Sequence, residues 1–98
     1  MLDQKILDTK ILEKVNFSTE TKNASATVNA GSFAGVSVPL PSKKALGISG
    51  VTVGGTGSAN MAIWQFEMRS NDSIVSLTNT AGATRTITVY VQYIVVDS

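Results

Sequence analysis

The chain has 98 residues, with eight Lys plus Arg against seven Asp plus Glu, and it contains neither histidine nor cysteine. This length allows one small domain, and the missing imidazole and thiol groups exclude the usual zinc sites, Cys or His nucleophiles, a Ser-His-Asp triad, haem ligation and disulfides. A net charge of +1 also provides no basic field for a nucleic-acid backbone.

Serine, threonine and valine each occur 11 times, which is typical of a β protein. Eight of the 15 charged residues lie within the first 22, so the rest of the chain is nearly neutral. Such a surface gives little protection against self-association. We therefore expect a surface of hydroxyl and amide groups, part of it buried against other copies of the chain.

Residues 1–16 form the one segment that resembles a helix, with Lys-Ile-Leu-Asp at residues 5–8 and Lys-Ile-Leu-Glu at residues 10–13. A period of five matches neither an α-helix nor a coiled coil. Residues 11–17 also fit a first strand. We therefore predict an N-terminal arm or short helix over residues 1–16, which contributes to oligomerisation, followed by a β-sandwich domain over residues 17–98.

Residues 24–30 and 33–40 are predicted strands on either side of a Gly31-Ser32 turn, so they are expected to form a hairpin. Pro39 and Pro41 end the second of these strands, because proline cannot donate a hydrogen bond to a neighbouring strand.

Residues 43–53 are the next predicted strand, with bulges at Gly47 and Gly50. Three of its side chains are expected in the core: Leu46, Ile48 and Val51. The glycine-rich residues 54–58 follow as a plain loop. They do not fit a phosphate-binding loop, because no Lys-Ser or Lys-Thr follows the last glycine and a strand comes next.

Residues 61–69 alternate in polarity and predict a strand with one face in the core. That face carries Ala62, Trp64, Phe66 and Met68. Trp64 is therefore interpreted as a core anchor, with a sugar-stacking platform as the alternative.

Residues 70–72 and 80–83 are predicted hairpin turns on either side of a short strand at residues 73–79. The last strand covers residues 84–96. One face carries an apolar stripe: Ile87, Val89, Val91, Tyr93 and Val95. The other face is also apolar toward its end, which indicates a central strand or burial against another subunit. In total, about seven strands predict an antiparallel β-sandwich or jelly roll.

Carboxylates are the remaining candidates for catalysis, at Glu67, Asp72 and Asp97. A glycosidase would need two of them across a cleft. Asp72 falls in a predicted turn and Asp97 near the last residue, while Glu67 is expected to pair with Arg69 on the surface. We therefore predict a protein that is not an enzyme and that needs no cofactor or metal.

Tyr90, Gln92 and Ile94 are the candidate contact residues, because they lie on the face of the last strand opposite its valine stripe. An outward tyrosine beside an amide suits a saccharide or a protein partner, and packing between subunits is the alternative.

Four segments, residues 33–41, 44–53, 61–69 and 84–96, resemble small β-sandwich domains in the tail-fibre, baseplate and head-fibre proteins of bacteriophages. They carry a strand that stops at Pro-Leu-Pro, an Ala-Leu-Gly-Ile-Ser-Gly-Val strand and a Thr/Val/Tyr strand that ends in Tyr-Ile-Val-Val. The resemblance implies a homotrimer without catalytic residues that either trimerises a fibre or contacts a host-surface glycan or protein.

The expected function is therefore a non-enzymatic virion structural or host-attachment domain of a phage fibre or tail that associates with itself. The alternative is a monomeric carbohydrate-binding or adhesin module, extracellular or on a bacterial cell surface. We expect neither nucleic-acid binding nor membrane insertion, since no apolar run approaches the ~18 residues of a membrane span.

Overall fold

The computed structural model describes residues 16–55 and 58–97. Six strands and one 3₁₀ turn follow one another in this order: β1 (Asn16–Val28), β2 (Phe33–Pro39), β3 (Lys44–Gly54), the 3₁₀ turn Ser58–Asn60, β4 (Met61–Met68), β5 (Asp72–Asn79) and β6 (Arg85–Asp97). The all-β prediction is confirmed for these residues. The predicted arm or helix of residues 1–16 lies, except for Asn16, outside them.

The six strands form two antiparallel sheets of three strands each. The first sheet has the order β1-β6-β3 and the second has the order β2-β5-β4. The predicted central position of the last strand is confirmed, because β6 pairs with β1 on one side and with β3 on the other. Each sheet therefore has one central strand and two edge strands.

The described residues contain six strands rather than about seven, because β1 is longer than predicted. Residues 11–17 and 24–30 were expected to be separate strands, with the polar residues 18–23 between them. In the structure β1 pairs with β6 without a break, from Asn16 opposite Asp97 to Val28 opposite Arg85. The polar residues 18–23 are part of this continuous pairing. An edge strand tolerates this polarity because much of it faces water.

One hydrophobic core joins the two sheets. The stripe predicted on the last strand is confirmed, since all five of its side chains are at most 1% exposed. Val28 of β1 adds to it, and the second sheet contributes Val36 and Val38 from β2 with Val75 and Leu77 from β5. Alternate residues of both central strands thus face the core, as the period-two pattern requires.

The connections after β1 and after β5 cross from one sheet to the other, so the two hairpins predicted there are wrong. Residues 29–32 form a tight turn in which the Ser32 amide donates to the Asn29 carbonyl oxygen at 3.1 Å. Gly31 has a φ of 69°, a left-handed conformation that glycine adopts without strain. Turn residues predict where a strand ends, but they do not identify its partner. The turn between β4 and β5 does form a hairpin, as predicted.

Asn79, at the end of β5, is fully buried and connects the segment after β1 with the segment after β5 through hydrogen bonds. Its Nδ2 donates to the carbonyl oxygens of Val28 at 2.9 Å and of Ala83 at 3.0 Å, and its Oδ1 accepts from the Ala81 amide at 2.9 Å. Its backbone pairs with the turn after β1 through Gly31 and Ser32. A buried amide with its hydrogen bonds satisfied holds three chain segments at this end of the core.

Strand β3 has two bulges, between Ala45 and Gly47 and between Ile48 and Gly50, as the glycines predicted. The bulges also decide which side chains reach the core. Ile48 and Val51 pack against it, but Leu46 is 52% exposed and its predicted core position is wrong. As the extra residue of the first bulge, Leu46 is displaced from the core-facing side of the strand.

Candidate functional site

Tyr90, Gln92 and Ile94 lie in a row on the outer face of β6, the face opposite the core. Tyr90 is 37% exposed and Ile94 is 38% exposed, and Gln92 between them is also exposed. Because β6 is central, each of the three has a neighbour on both sides. Gln92 lies between Thr21 of β1 and Gly50 of β3, and Tyr90 is paired with Thr52 of β3.

A shallow hollow of about 190 Å³ lies at this row, lined by Thr21, Gly50, Thr52, Tyr90 and Gln92. Its floor is open because Gly50 of β3, opposite Gln92, carries no side chain. Two of the three candidate residues therefore line one hollow, while Ile94 lies two positions beyond Gln92.

Ile94 belongs instead to an apolar group that we call the Ile94 patch, consisting of Phe17, Leu46 and Ile94. Phe17 is paired with Val96, two residues from Ile94 on the same face, and the bulge that contains Leu46 lies opposite Ile94. Phe17 is 58% exposed. Leu46 and Ile94 are 52% and 38% exposed, so three large apolar side chains are exposed at this end of the first sheet.

The expected aromatic core face of β4 is wrong, because a bulge at Trp64 divides the strand. The pairing shifts between Ile63, opposite Leu77, and Gln65, opposite Ser76. Before the bulge Met61 and Ile63 pack against the core, and after it Phe66 and Met68 lie opposite the buried Val75 and Ser73. The four residues predicted to share one face therefore do not, and Trp64 is 57% exposed rather than a core anchor.

Trp64 instead forms an edge-to-face pair with Phe33 of β2, with ring centroids 6.5 Å apart and an interplanar angle of 74°. Phe33 is 75% exposed, and sequence analysis did not single it out. Its pairing with Thr78 puts it on the outer face of the second sheet, because Thr78 lies between two buried residues of β5. The sequence contains a signal for this outward position. Phe33 is an odd number of residues away from the core residues Val36 and Val38, so in a strand its side chain lies on the opposite face.

Phe66 and Met68 are also partly exposed, at 50% and 37%, although they share the side of the sheet that faces the core. Strand β4 is an edge strand, so the first sheet covers its side chains incompletely. Their exposure follows from the position of the strand, not from an outward orientation.

A second hollow, of about 660 Å³, opens at the β4–β5 turn and contains a charged pair. Arg69 donates from Nε to Asp72 Oδ1 at 2.7 Å and from Nη2 to Oδ2 at 2.8 Å, and the Ser37 hydroxyl also donates to Oδ2. The hydrogen bonds from Arg69 and then from Ser37 lower the pKa of Asp72 from 3.8 to about 2. Arg69 therefore pairs with Asp72, and its expected ion pair with Glu67 is wrong.

This hollow offers poor chemistry for catalysis. The single carboxylate is held in its charged form, and its oxygens are occupied by Arg69 and Ser37, so it has no free proton to donate at neutral pH. Across residues 16–55 and 58–97, no three His, Cys, Asp or Glu residues come together in a way that could hold a metal ion. The same residues include no helix of the length and apolarity needed to cross a membrane.

Comparison with protein-family models, with curated proteins and with solved structures finds no match to this chain.

Proposed function

We propose that this chain is a non-enzymatic domain of a phage fibre or tail that associates with copies of itself and serves a virion structural or host-attachment role. The Ile94 patch is the observation that carries the proposal. A domain of this size that leaves Phe17, Leu46 and Ile94 exposed together gains free energy by burying them, at about 25 cal/mol per Å² of apolar surface.

The near-neutral surface supports the same proposal, because few charges oppose contact between copies. The resemblance to phage fibre domains favours a trimer as the oligomeric state. The arm of residues 1–16 would contribute to its assembly. The domain would then act in the virion, with a host-surface glycan or protein as its partner.

Light scattering on the purified chain at micromolar concentration tests the association. We expect three times the chain mass for the wild type and a shift toward monomer for Ile94→Lys, because the substitution would bury a charge. Thr86→Lys is the matched control, since Thr86 lies on the same face of β6 but at its other end, where its hydroxyl forms a hydrogen bond with the Thr27 hydroxyl at 3.0 Å. A monomeric wild type, or equal effects of both substitutions, contradicts the proposal.

The Phe33–Trp64 pair favours a second candidate, a monomeric carbohydrate-binding or adhesin module of a bacterial surface. Exposed aromatic rings on the outer face of a sheet present apolar faces on which a sugar ring can stack. A monomer whose binding on a glycan array is lost in Trp64→Ala supports this candidate. Phe66→Ala is the control, as it removes an exposed ring from the opposite side of the same strand, and an array without any binding removes the candidate.

A further inference from the structure

The hollow on the outer face of the first sheet contains hydrogen-bonding groups that no other part of the described chain uses. The hydroxyl groups of Thr21, Thr52 and Tyr90 make no hydrogen bond within residues 16–55 and 58–97, and neither does the amide nitrogen of Gln92. None of the five lining residues carries a charge.

The Gln92 amide is held in one orientation by the second bulge of β3. Ser49, the extra residue of that bulge, donates its hydroxyl to Gln92 Oε1 at 3.0 Å and lies 3.2 Å from the Gln92 carbonyl oxygen. With its oxygen engaged by Ser49, the amide of this lining residue keeps both hydrogens of Nε2 available to a ligand. A donor fixed before binding loses little side-chain entropy when a ligand arrives.

Glycines shape the rest of the hollow. The Tyr90 ring lies against Gly54, where a methyl group would come within 3.0 Å of Tyr90 Cε2. At Gly50 a methyl group would meet nothing within 4 Å, so the floor between Thr21 and Thr52 stays open. The ring therefore forms one wall of a space whose floor is backbone.

These groups select the chemistry of the ligand. An anion would find no cation, a metal ion would find no carboxylate or imidazole, and a purely apolar ligand would leave the hydroxyl and amide groups without partners. A sugar ring satisfies both requirements, because its C–H face can lie on an aromatic ring while its hydroxyl groups exchange hydrogen bonds with Gln92 and the two threonines. We infer that this hollow binds one uncharged sugar residue of a glycan, an inference that rests on the proposed attachment role and names its ligand class.

Titration of the ¹⁵N-labelled chain with glucose, galactose, mannose and N-acetylglucosamine, followed by two-dimensional NMR, tests the site. We expect at least one sugar to shift the amide signals of Thr21, Thr52, Tyr90 and Gln92, with a Kd on the order of 1 mM. Gly50→Val should weaken that binding at least about tenfold, because a β-carbon at Gly50 meets nothing within 4 Å and the added side chain enters the hollow. Gly47→Val, also in open space on β3, should leave it unchanged.

Three outcomes overturn the inference. They are the absence of shifts with all four sugars, equal binding by Gly50→Val and wild type, and shifts confined to Phe33 and Trp64 of the other sheet. Light scattering on the same samples separates this result from the proposed function. An oligomer without sugar binding removes the site but keeps the self-association, whereas a monomer that binds at the hollow keeps the site and contradicts the self-associating domain.

Discussion

The hydroxyl of Tyr93 donates a hydrogen bond to Ser73 Oγ at 2.6 Å, and this bond joins the central strands of the two sheets inside the core. Both side chains are fully buried, and the Tyr93 oxygen also lies 3.2 Å from the Pro39 carbonyl oxygen. A tyrosine within a stripe of valines thus gives the two layers a directional contact, which apolar packing alone does not supply.

Removing either partner should destabilise the domain. We expect Tyr93→Phe and Ser73→Ala each to lower the free energy of unfolding by about 1 to 2 kcal/mol, because each leaves a buried polar atom with fewer partners. In a double-mutant cycle measured by urea denaturation, the coupling should be about 1 kcal/mol. Strictly additive effects would show that the two hydroxyl groups do not interact.

Asn79→Ala should cost more, about 3 kcal/mol, since three side-chain hydrogen bonds disappear and the carbonyl groups of Val28 and Ala83 lose their partner. The readout is the shift of the urea midpoint, and Asn71→Ala in the exposed β4–β5 turn is the control, with a shift near zero. An equal response of the two variants would contradict the role of Asn79 at the sheet crossings.

Trp64→Ala should lower the free energy of unfolding by about 1 kcal/mol or less, the size of a lost aromatic pair on the surface. Leu77→Ala, which truncates a fully buried side chain of the neighbouring strand β5, should cost about 3 kcal/mol. Thermal denaturation of both variants compares them directly. A loss of stability in Trp64→Ala as large as that in Leu77→Ala would contradict the surface position of Trp64 and indicate that it is a core residue.

Stability should fall in acid through Asp72. Its pKa is depressed from 3.8 to about 2 in the folded chain, so its contribution is present above 3.8 and is lost as the pH falls toward 2. Unfolding experiments across that range should show a smaller decline for Asp72→Asn than for the wild type. Glu67→Gln leaves the Arg69–Asp72 ion pair intact and should follow the wild type. An unchanged decline in Asp72→Asn would assign the acid sensitivity to another group.

The stripe on β6 could be predicted because five inward residues repeat with a period of two and no bulge interrupts them. The same rule failed on β4, where one extra residue at Trp64 shifts every later side chain to the other face. Nothing in the local composition marks that bulge, whereas the glycines of β3 do mark theirs.

The candidate site likewise could be predicted only in part. Tyr90, Gln92 and Ile94 could be assigned to one outward face from alternation alone. The hollow could not be predicted, because it depends on Thr21 and Gly50 of neighbouring strands and therefore on pairing between distant parts of the chain. Ser49 acts on Gln92 only through that pairing.

The pairing of β1 with β6 also determines how the chain must fold. Residue 16 lies opposite residue 97, and among the described strands only β4 and β5 are both consecutive and paired. The first sheet can form only after most of the chain has been brought together, and the loop-closure entropy of that step precedes the contacts that repay it. Folding should therefore be slow for a domain of this size, in the range of milliseconds to seconds that is common for proteins dominated by non-local strand pairs.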